Sequence, residues 1–70
     1  MRYAIVIENA GANDSAYVPD LPGCVAPGAT VEEVERAIRE ALESHLEGMR
    51  EDGASMPAPS SSVRYVDVPA

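Results

Sequence analysis

The residues of this chain whose types allow acid–base, nucleophilic or metal chemistry are few and far apart. His45 is the only histidine and Cys24 the only cysteine among the 70 residues. A catalytic or metal-bound imidazole needs a second ligand or a carboxylate aimed at it, and no motif supplies one for His45. A reactive thiolate needs a nearby base or a helix N-terminus. We therefore expect His45 to pack on the apolar side of a helix and Cys24 to be a small buried residue.

Asp20 is the carboxylate with the most distinctive setting, because it precedes a Pro-Gly turn. An aspartate in this position commonly accepts hydrogen bonds from turn amides. A divalent-cation site, in which Asp20 is joined by Glu8 or Asp67, would require their strands to be neighbours, and hard cations do take oxygen ligands. No Asp/Glu spacing enforces that convergence, so a structural role is favoured and a residual metal-dependent nuclease is the lesser alternative. We expect no catalytic, cofactor-binding or metal-binding residues, and no cofactor.

The remaining candidates also favour structural roles. Ser60, Ser61 and Ser62 have no accompanying His–Asp pair, and no glycine falls in a G-x-x-x-x-G-K-[ST] phosphate loop. Gly48 falls inside a helical pattern near its apolar stripe, at a cost of about 1 kcal/mol relative to alanine. This placement predicts that another backbone approaches Gly48 closely, either within the fold or across an interface.

Composition excludes several classes of function. The net charge is −7, and all five basic residues are arginines that are scattered along the chain. Because phosphate affinity comes mainly from Lys and Arg, we expect no direct contact with nucleic acid. No apolar run approaches the roughly 18 residues of a membrane helix, and no signal-peptide pattern opens the chain. We expect a cytoplasmic protein with a single domain over residues 1–70.

The first half of the chain predicts three short strands. Residues 2–8 read RYAIVIE and are apolar on both faces, which predicts a strand that is at least partly covered on both sides. The turn formers of NAGANDS lead into a second, antiparallel strand over residues 16–19. Pro22 and Gly23 suit the central positions of a type II turn, and a third strand follows over residues 24–27.

The second half predicts one helix and a last strand. Thr30 and Glu33 form a capping box at the helix start, and Gly53 suits a left-handed cap at its end. A connector rich in Pro and Ser then leads to an alternating strand over residues 63–68. The apolar stripe of the helix comprises Val31, Val34, Ile38, Ala41, Leu42, His45, Leu46 and Met49.

These elements predict an α+β fold of order β-β-β-α-β, with one helix on one face of a small sheet. The uncovered face would show apolar side chains to water, and contiguous patches of that kind mark interfaces. We therefore expect a homodimer or higher oligomer in which that face or an edge strand is covered. The glutamates of the helix form a solvated face, and their charge would attract a basic partner.

Several segments together resemble one protein family. They are RYAIVIE, YVPDLPGC (residues 17–24), GATVEEV (28–34), EALESHLE (40–47), Asp52-Gly53 and MPAP (56–59). In this order they are similar to the HicB-like antitoxins, and in particular to short forms without an appended DNA-binding domain. The D-L-P-G-C turn followed by a capped helix is the most specific part of the resemblance, which runs through almost the whole chain.

The resemblance implies a partial ribonuclease-H-like β-β-β-α-β unit that has lost catalytic carboxylates. It also implies a partner, because full-length members neutralise HicA, a small basic ribonuclease that cleaves mRNA. Those members often carry a C-terminal DNA-binding domain, whereas this sequence ends at Ala70, so the resemblance does not extend to operator binding. The expected function is to bind and mask a HicA-type toxin. The alternative is a solitary structural or regulatory oligomer without a toxin.

Overall fold

Three short strands and one long helix form the regular structure of residues 1–69, which are the residues that a computed structural model describes. The strands are β1 (Val6–Asn9), β2 (Asp14–Tyr17) and β3 (Val25–Gly28), and the helix is α1 (Val31–Glu51). The sheet has the order β1-β2-β3 with both pairs antiparallel. The predicted α+β class, with one helix on a small sheet, is confirmed.

The β1–β2 hairpin extends further toward its loop than the predicted strand bounds. Asn9 and Asp14, which the sequence places among the turn formers, still pair as strand residues. Asn9 lies opposite Asp14, and the amide nitrogen of the Asn9 side chain donates to Asp14 Oδ1 at 2.8 Å. The loop is closed by the Ala10 amide, which donates to the Asn13 carbonyl at 2.8 Å. Residues 2–5 are not part of β1, because the partner strand β2 ends at Tyr17, opposite Val6.

The predicted turn after Asp20 is confirmed. The Cys24 amide donates to the Leu21 carbonyl at 3.1 Å, and Gly23 has φ +88°, as the third residue of a type II turn requires. Leu21 and Cys24 are both buried in the core. The expectation of a small buried Cys24 is also confirmed, and burial raises the pKa of its thiol.

The core lies between α1 and one face of the sheet. The apolar stripe of α1 is confirmed for its central residues, with Val34 and Ile38 fully buried, whereas Val31 at the helix start is 48% exposed. The buried side chains are Ala16, Val18, Leu21, Cys24, Ala26, Val34 and Ile38. Partly buried residues pack around them: Tyr3, Ile5, Ile7, Ala37, Ala41, Leu42, Leu46 and Met49.

The start of α1 shows the predicted capping box. Thr30 Oγ1 accepts from the Glu33 amide at 3.2 Å, and the Glu33 carboxylate accepts from the Ala29 amide at 3.0 Å. Residue 28, at the end of β3, is a glycine for a steric reason. A Cβ at Gly28 would lie 2.7 Å from Val34 Cγ2 and 2.9 Å from the Val34 amide nitrogen. This close contact joins β3 directly to α1.

One prediction about local structure is wrong within the single chain, and a second is wrong outright. A Cβ at Gly48 would meet no atom within 4 Å, so no backbone of the described chain approaches Gly48, and an approach across an interface remains a prediction. The last strand, predicted over residues 63–68, is not formed, since residues 63–69 pair with no strand in the part of the chain that the structure describes. A strand requires a neighbouring ladder, and the nearby residues 2–4 lie outside the sheet.

Candidate interaction surfaces

The face of the sheet opposite α1 carries a row of apolar side chains. Val6, Tyr17 and Val25 lie side by side across the three strands. Tyr17 is 40% exposed and Val25 is 63% exposed. The predicted uncovered apolar face is therefore present in the single chain, and we call this row the outer row.

Asp20 is the most strongly hydrogen-bonded carboxylate among residues 1–69, and its partners lie in the connector after α1. Its Oδ2 accepts from the amides of Ser60 and Ser61 at 3.0 and 3.1 Å. Its Oδ1 accepts from the two hydroxyls, at 3.0 Å from Ser60 and 2.8 Å from Ser61. Together, the Ser61 amide, the Ser60 amide and the two hydroxyls lower the pKa of Asp20 to about 2, since each stabilises the charged form.

The prediction that Asp20 caps its own turn is wrong. The turn amides have backbone partners instead, because the Leu21 amide donates to the Val18 carbonyl at 3.1 Å and the Cys24 amide to the Leu21 carbonyl. Asp20 thus ties the β2–β3 connection to a segment 40 residues later in the chain. A second hydrogen bond also holds the connector after α1, since the Tyr3 hydroxyl donates to the Pro57 carbonyl.

The metal-site alternative receives no geometric support from residues 1–69. Both oxygens of Asp20 already accept hydrogen bonds from the serines. Glu8 lies on the exposed side of β1, and Asp67 lies in the exposed segment after the connector. No group of three or more His, Cys, Asp or Glu residues in that range is placed to hold an ion.

His45 lies at the edge of the buried side of α1. It is half-buried, and its neighbours one turn away on the helix, Ala41 and Met49, pack against the core. This is the boundary position that the sequence predicts for a packing histidine.

The opposite side of α1 is strongly acidic. In the described chain one ion pair forms, between Arg50 Nη1 and Glu47 Oε2 at 3.1 Å, and both side chains are largely exposed. Exposed ion pairs contribute little, about 0–1 kcal/mol. Arg36 and Arg39 are also exposed on α1 beside Glu32, so the glutamates outnumber the arginines of the helix but are not free of them. The glutamates of this surface, which we call the acidic face, are Glu32, Glu33, Glu40, Glu43, Glu47 and Glu51.

No helix within residues 1–69 combines the length and the apolar character needed to cross a membrane.

Comparison with known proteins gives consistent matches along the chain. Residues 3–70 match the family model described as HicB_like antitoxin of bacterial toxin-antitoxin system. A curated relative, an uncharacterized 14.9 kDa protein in the rep-hol intergenic region of Haemophilus phage HP1 (strain HP1c1), is 36% identical over 69 residues. That match covers 99% of this chain and 52% of the phage protein, so the chain spans about half the length of the relative.

A solved structure, described as the HicA3 and HicB3 toxin-antitoxin complex, contains a chain with the same fold. The TM-score is 0.72 at 28% sequence identity, and the match covers 86% of this chain and 70% of the matched chain.

Proposed function

The chain belongs to the HicB-like antitoxin family, and we propose that it binds a small basic toxin of the HicA type and masks the cationic surface of that toxin. The likeness to a chain of a solved toxin–antitoxin complex supports this proposal most directly. We further propose that the matched residues act as one HicB-like domain, in the cytoplasm and without catalytic chemistry of their own.

The charge of the chain suits such a partner. The net charge is −7, and the acidic face of α1 places many carboxylates on one exposed surface. A surface of one sign accelerates encounter with a surface of opposite sign, and the effect weakens as salt screens it. The acidic face would therefore steer the toxin, while apolar contacts would hold the complex.

A charge-reversal pair tests this proposal. Glu43→Lys reverses one carboxylate on the acidic face, and Asp52→Lys makes the same change in net charge at the end of α1, where Asp52 is exposed. Binding to a panel of HicA-type toxins is followed by stopped-flow fluorescence at low and high salt. We expect Glu43→Lys to lower the association rate about three- to tenfold at low salt, with a smaller effect from Asp52→Lys.

Two results would argue against the proposal. Equal effects of the two substitutions would show that net charge, rather than the acidic face, governs association. A chain that binds none of the toxins would remove the antitoxin function itself.

We also propose that the chain associates with itself. The outer row of Val6, Tyr17 and Val25 leaves apolar side chains in water in the single chain, and contact with a second copy would remove them from it. A strictly monomeric sedimentation profile at tens of micromolar protein would contradict self-association.

The same outer row favours a second candidate function, a regulatory oligomer that has no toxin. In that case the acidic face would serve only to keep the protein in solution. The neighbouring gene separates the two candidates, since an adjacent gene for a basic chain of similar size favours the antitoxin.

A further inference from the structure

The segment over residues 63–69, which we call the apolar arm, is exposed and forms neither helix nor strand. Tyr65 is 94% exposed, Val66 81% and Val68 74%. In a strand, Tyr65 and Asp67 would lie on one side and Val66 and Val68 on the other. The arm thus has the pattern of a strand without a ladder in the described chain.

The base of the arm is held in place. Asp20 fixes the two serines that precede it, and residues 61–64 line one cleft with residues 2–4. The radius of gyration is 13.7 Å, whereas a compact domain of this length would have about 11 Å. The molecule is therefore expanded, to which both the 21-residue helix α1 and the exposed arm contribute.

A free edge and a groove lie beside β1. β1 pairs with β2 along one edge, and no strand within residues 1–69 pairs with its other edge. α1 packs mainly over β2 and β3, which leaves the inner side of Ile5 and Ile7 half-buried. A groove there is lined by Tyr3, Ile5, Glu35, Ile38, Arg39 and Leu42.

We propose that the apolar arm of one copy pairs antiparallel with the free edge of β1 in a second copy, and that the second copy returns its own arm. This exchange rests on the self-association proposed above, and it places the contact between copies at the free edge of β1, beside the outer row. With Val66 opposite Val6, the Arg64 guanidinium comes opposite the Glu8 carboxylate. Opposite charges in directly facing positions stabilise an antiparallel pair.

The same register suits the inner side of the sheet. Tyr65 comes opposite Ile7, where it would cover the half-buried edge of the core. Asp67 comes opposite Ile5, at the groove that contains both Arg39 and Glu35. In one register the outer side of the arm therefore finds an opposite charge, and Tyr65 on the inner side finds an apolar contact.

Within residues 1–69 the arm does not pair with the β1 of its own chain. Residues 61–64 already lie next to residues 2–4 of the same chain, so pairing with the same β1 would need only that the arm continue alongside it. In the structure the arm instead leaves the body, and Tyr65 is almost fully exposed. A second copy offers the same free edge, and two-fold symmetry then satisfies both arms at once.

Cross-linking of two variants that each carry one added cysteine tests the exchange. Val6→Cys and Val66→Cys proteins are mixed in equal amounts and oxidised, and non-reducing electrophoresis with peptide mass spectrometry reads the product. Facing residues of a strand pair lie close enough for a disulfide, and the native Cys24 is buried. We expect a 6–66 bond between copies. A mixture of Val6→Cys with Ser55→Cys is the control and should give none.

The other outcomes separate the two proposals. An internal 6–66 bond in the Val6→Cys/Val66→Cys double variant, with none between copies, would overturn the exchange. A dimer that sediments normally but does not cross-link would overturn the exchange and leave self-association intact. A monomeric chain would overturn both the exchange and self-association. An arm that is covered only when a toxin is added would overturn the exchange.

A substitution pair at one position gives independent evidence. Val66→Pro removes an amide donor and disfavours a strand, whereas Val66→Thr keeps the β-branched shape. Because the residue is exposed in the single chain, neither change should unfold the monomer. We expect Val66→Pro to raise the dimer dissociation constant at least tenfold and Val66→Thr to change it less than threefold. Equal constants for both variants would contradict the exchange.

Discussion

At the scale of single residues, Asp20 has the role that the sequence describes least well. Its carboxylate joins the β2–β3 connection to the connector after α1 through the amides and hydroxyls of Ser60 and Ser61. The interaction is polar and exposed. Its value therefore lies in where it holds the connector rather than in the stability of the core.

The Asp20 carboxyl should titrate with a midpoint of about 2, below its ordinary value of 3.8. The pKa of Asp20 is lower in the folded chain than in the unfolded chain. The hydrogen bonds of its carboxylate therefore add their full stability at pH values above the unfolded pKa, and this stability is lost as pH falls through the folded pKa. Side-chain carboxyl NMR and the amide shifts of Ser60 and Ser61 report it.

Variants of the serines provide the comparison. The Ser60→Ala/Ser61→Ala variant removes two of the four donors and should raise the midpoint part of the way to 3.8. Ser62→Ala changes a serine that makes no bond to Asp20 and should leave the midpoint unchanged. A midpoint near 3.8 in the unmodified chain would show that the anchor does not form.

At the scale of elements, two glycines in or next to α1 should respond in opposite directions to alanine. Gly28→Ala places a Cβ 2.7 Å from Val34 Cγ2 and 2.9 Å from the Val34 amide nitrogen, so the junction of β3 and α1 must shift. Gly48→Ala meets no atom within 4 Å and should stabilise the helix by about 0.5–1 kcal/mol.

Urea denaturation of the two variants measures both effects. A Gly28→Ala protein as stable as the parent would show that the junction is loose. If Gly48→Ala instead weakens self-association without lowering the stability of the monomer, then the close approach predicted for Gly48 lies between copies.

Elements set by neighbouring residues could be predicted from the sequence. The Thr30 cap, the turn closed by Leu21 and Cys24, and the buried stripe of α1 each depend on residues within one or two turns of chain. Strand bounds depend on distant partners. β1 begins at Val6 rather than Arg2, since a strand extends only as far as its neighbour continues.

The same distinction applies to the candidate site. The outer row follows from alternation along each strand, so the uncovered apolar face could be predicted. The link from Asp20 to Ser60 spans 40 residues, and no local pattern marks it. The segment over residues 63–68 has the alternation of a strand, but alternation cannot say whether its partner belongs to the same chain.

At the scale of the whole molecule, charge and apolar surface are divided between two places. The acidic face occupies one side of α1, and the outer row occupies the far side of the sheet. A protein arranged in this way can attract a basic partner on one side while it contacts a second copy on the other. Neither surface interferes with the other in this geometry.

The most direct test of toxin masking is an RNA-cleavage assay with a HicA-type toxin and increasing amounts of this chain. We predict that cleavage falls in proportion to added chain and ends at a fixed stoichiometric ratio. We also predict that inhibition weakens as salt rises, because steering by the acidic face is screened. Cleavage that continues unchanged with a large excess of folded chain, for every HicA-type toxin at low salt, would contradict the account.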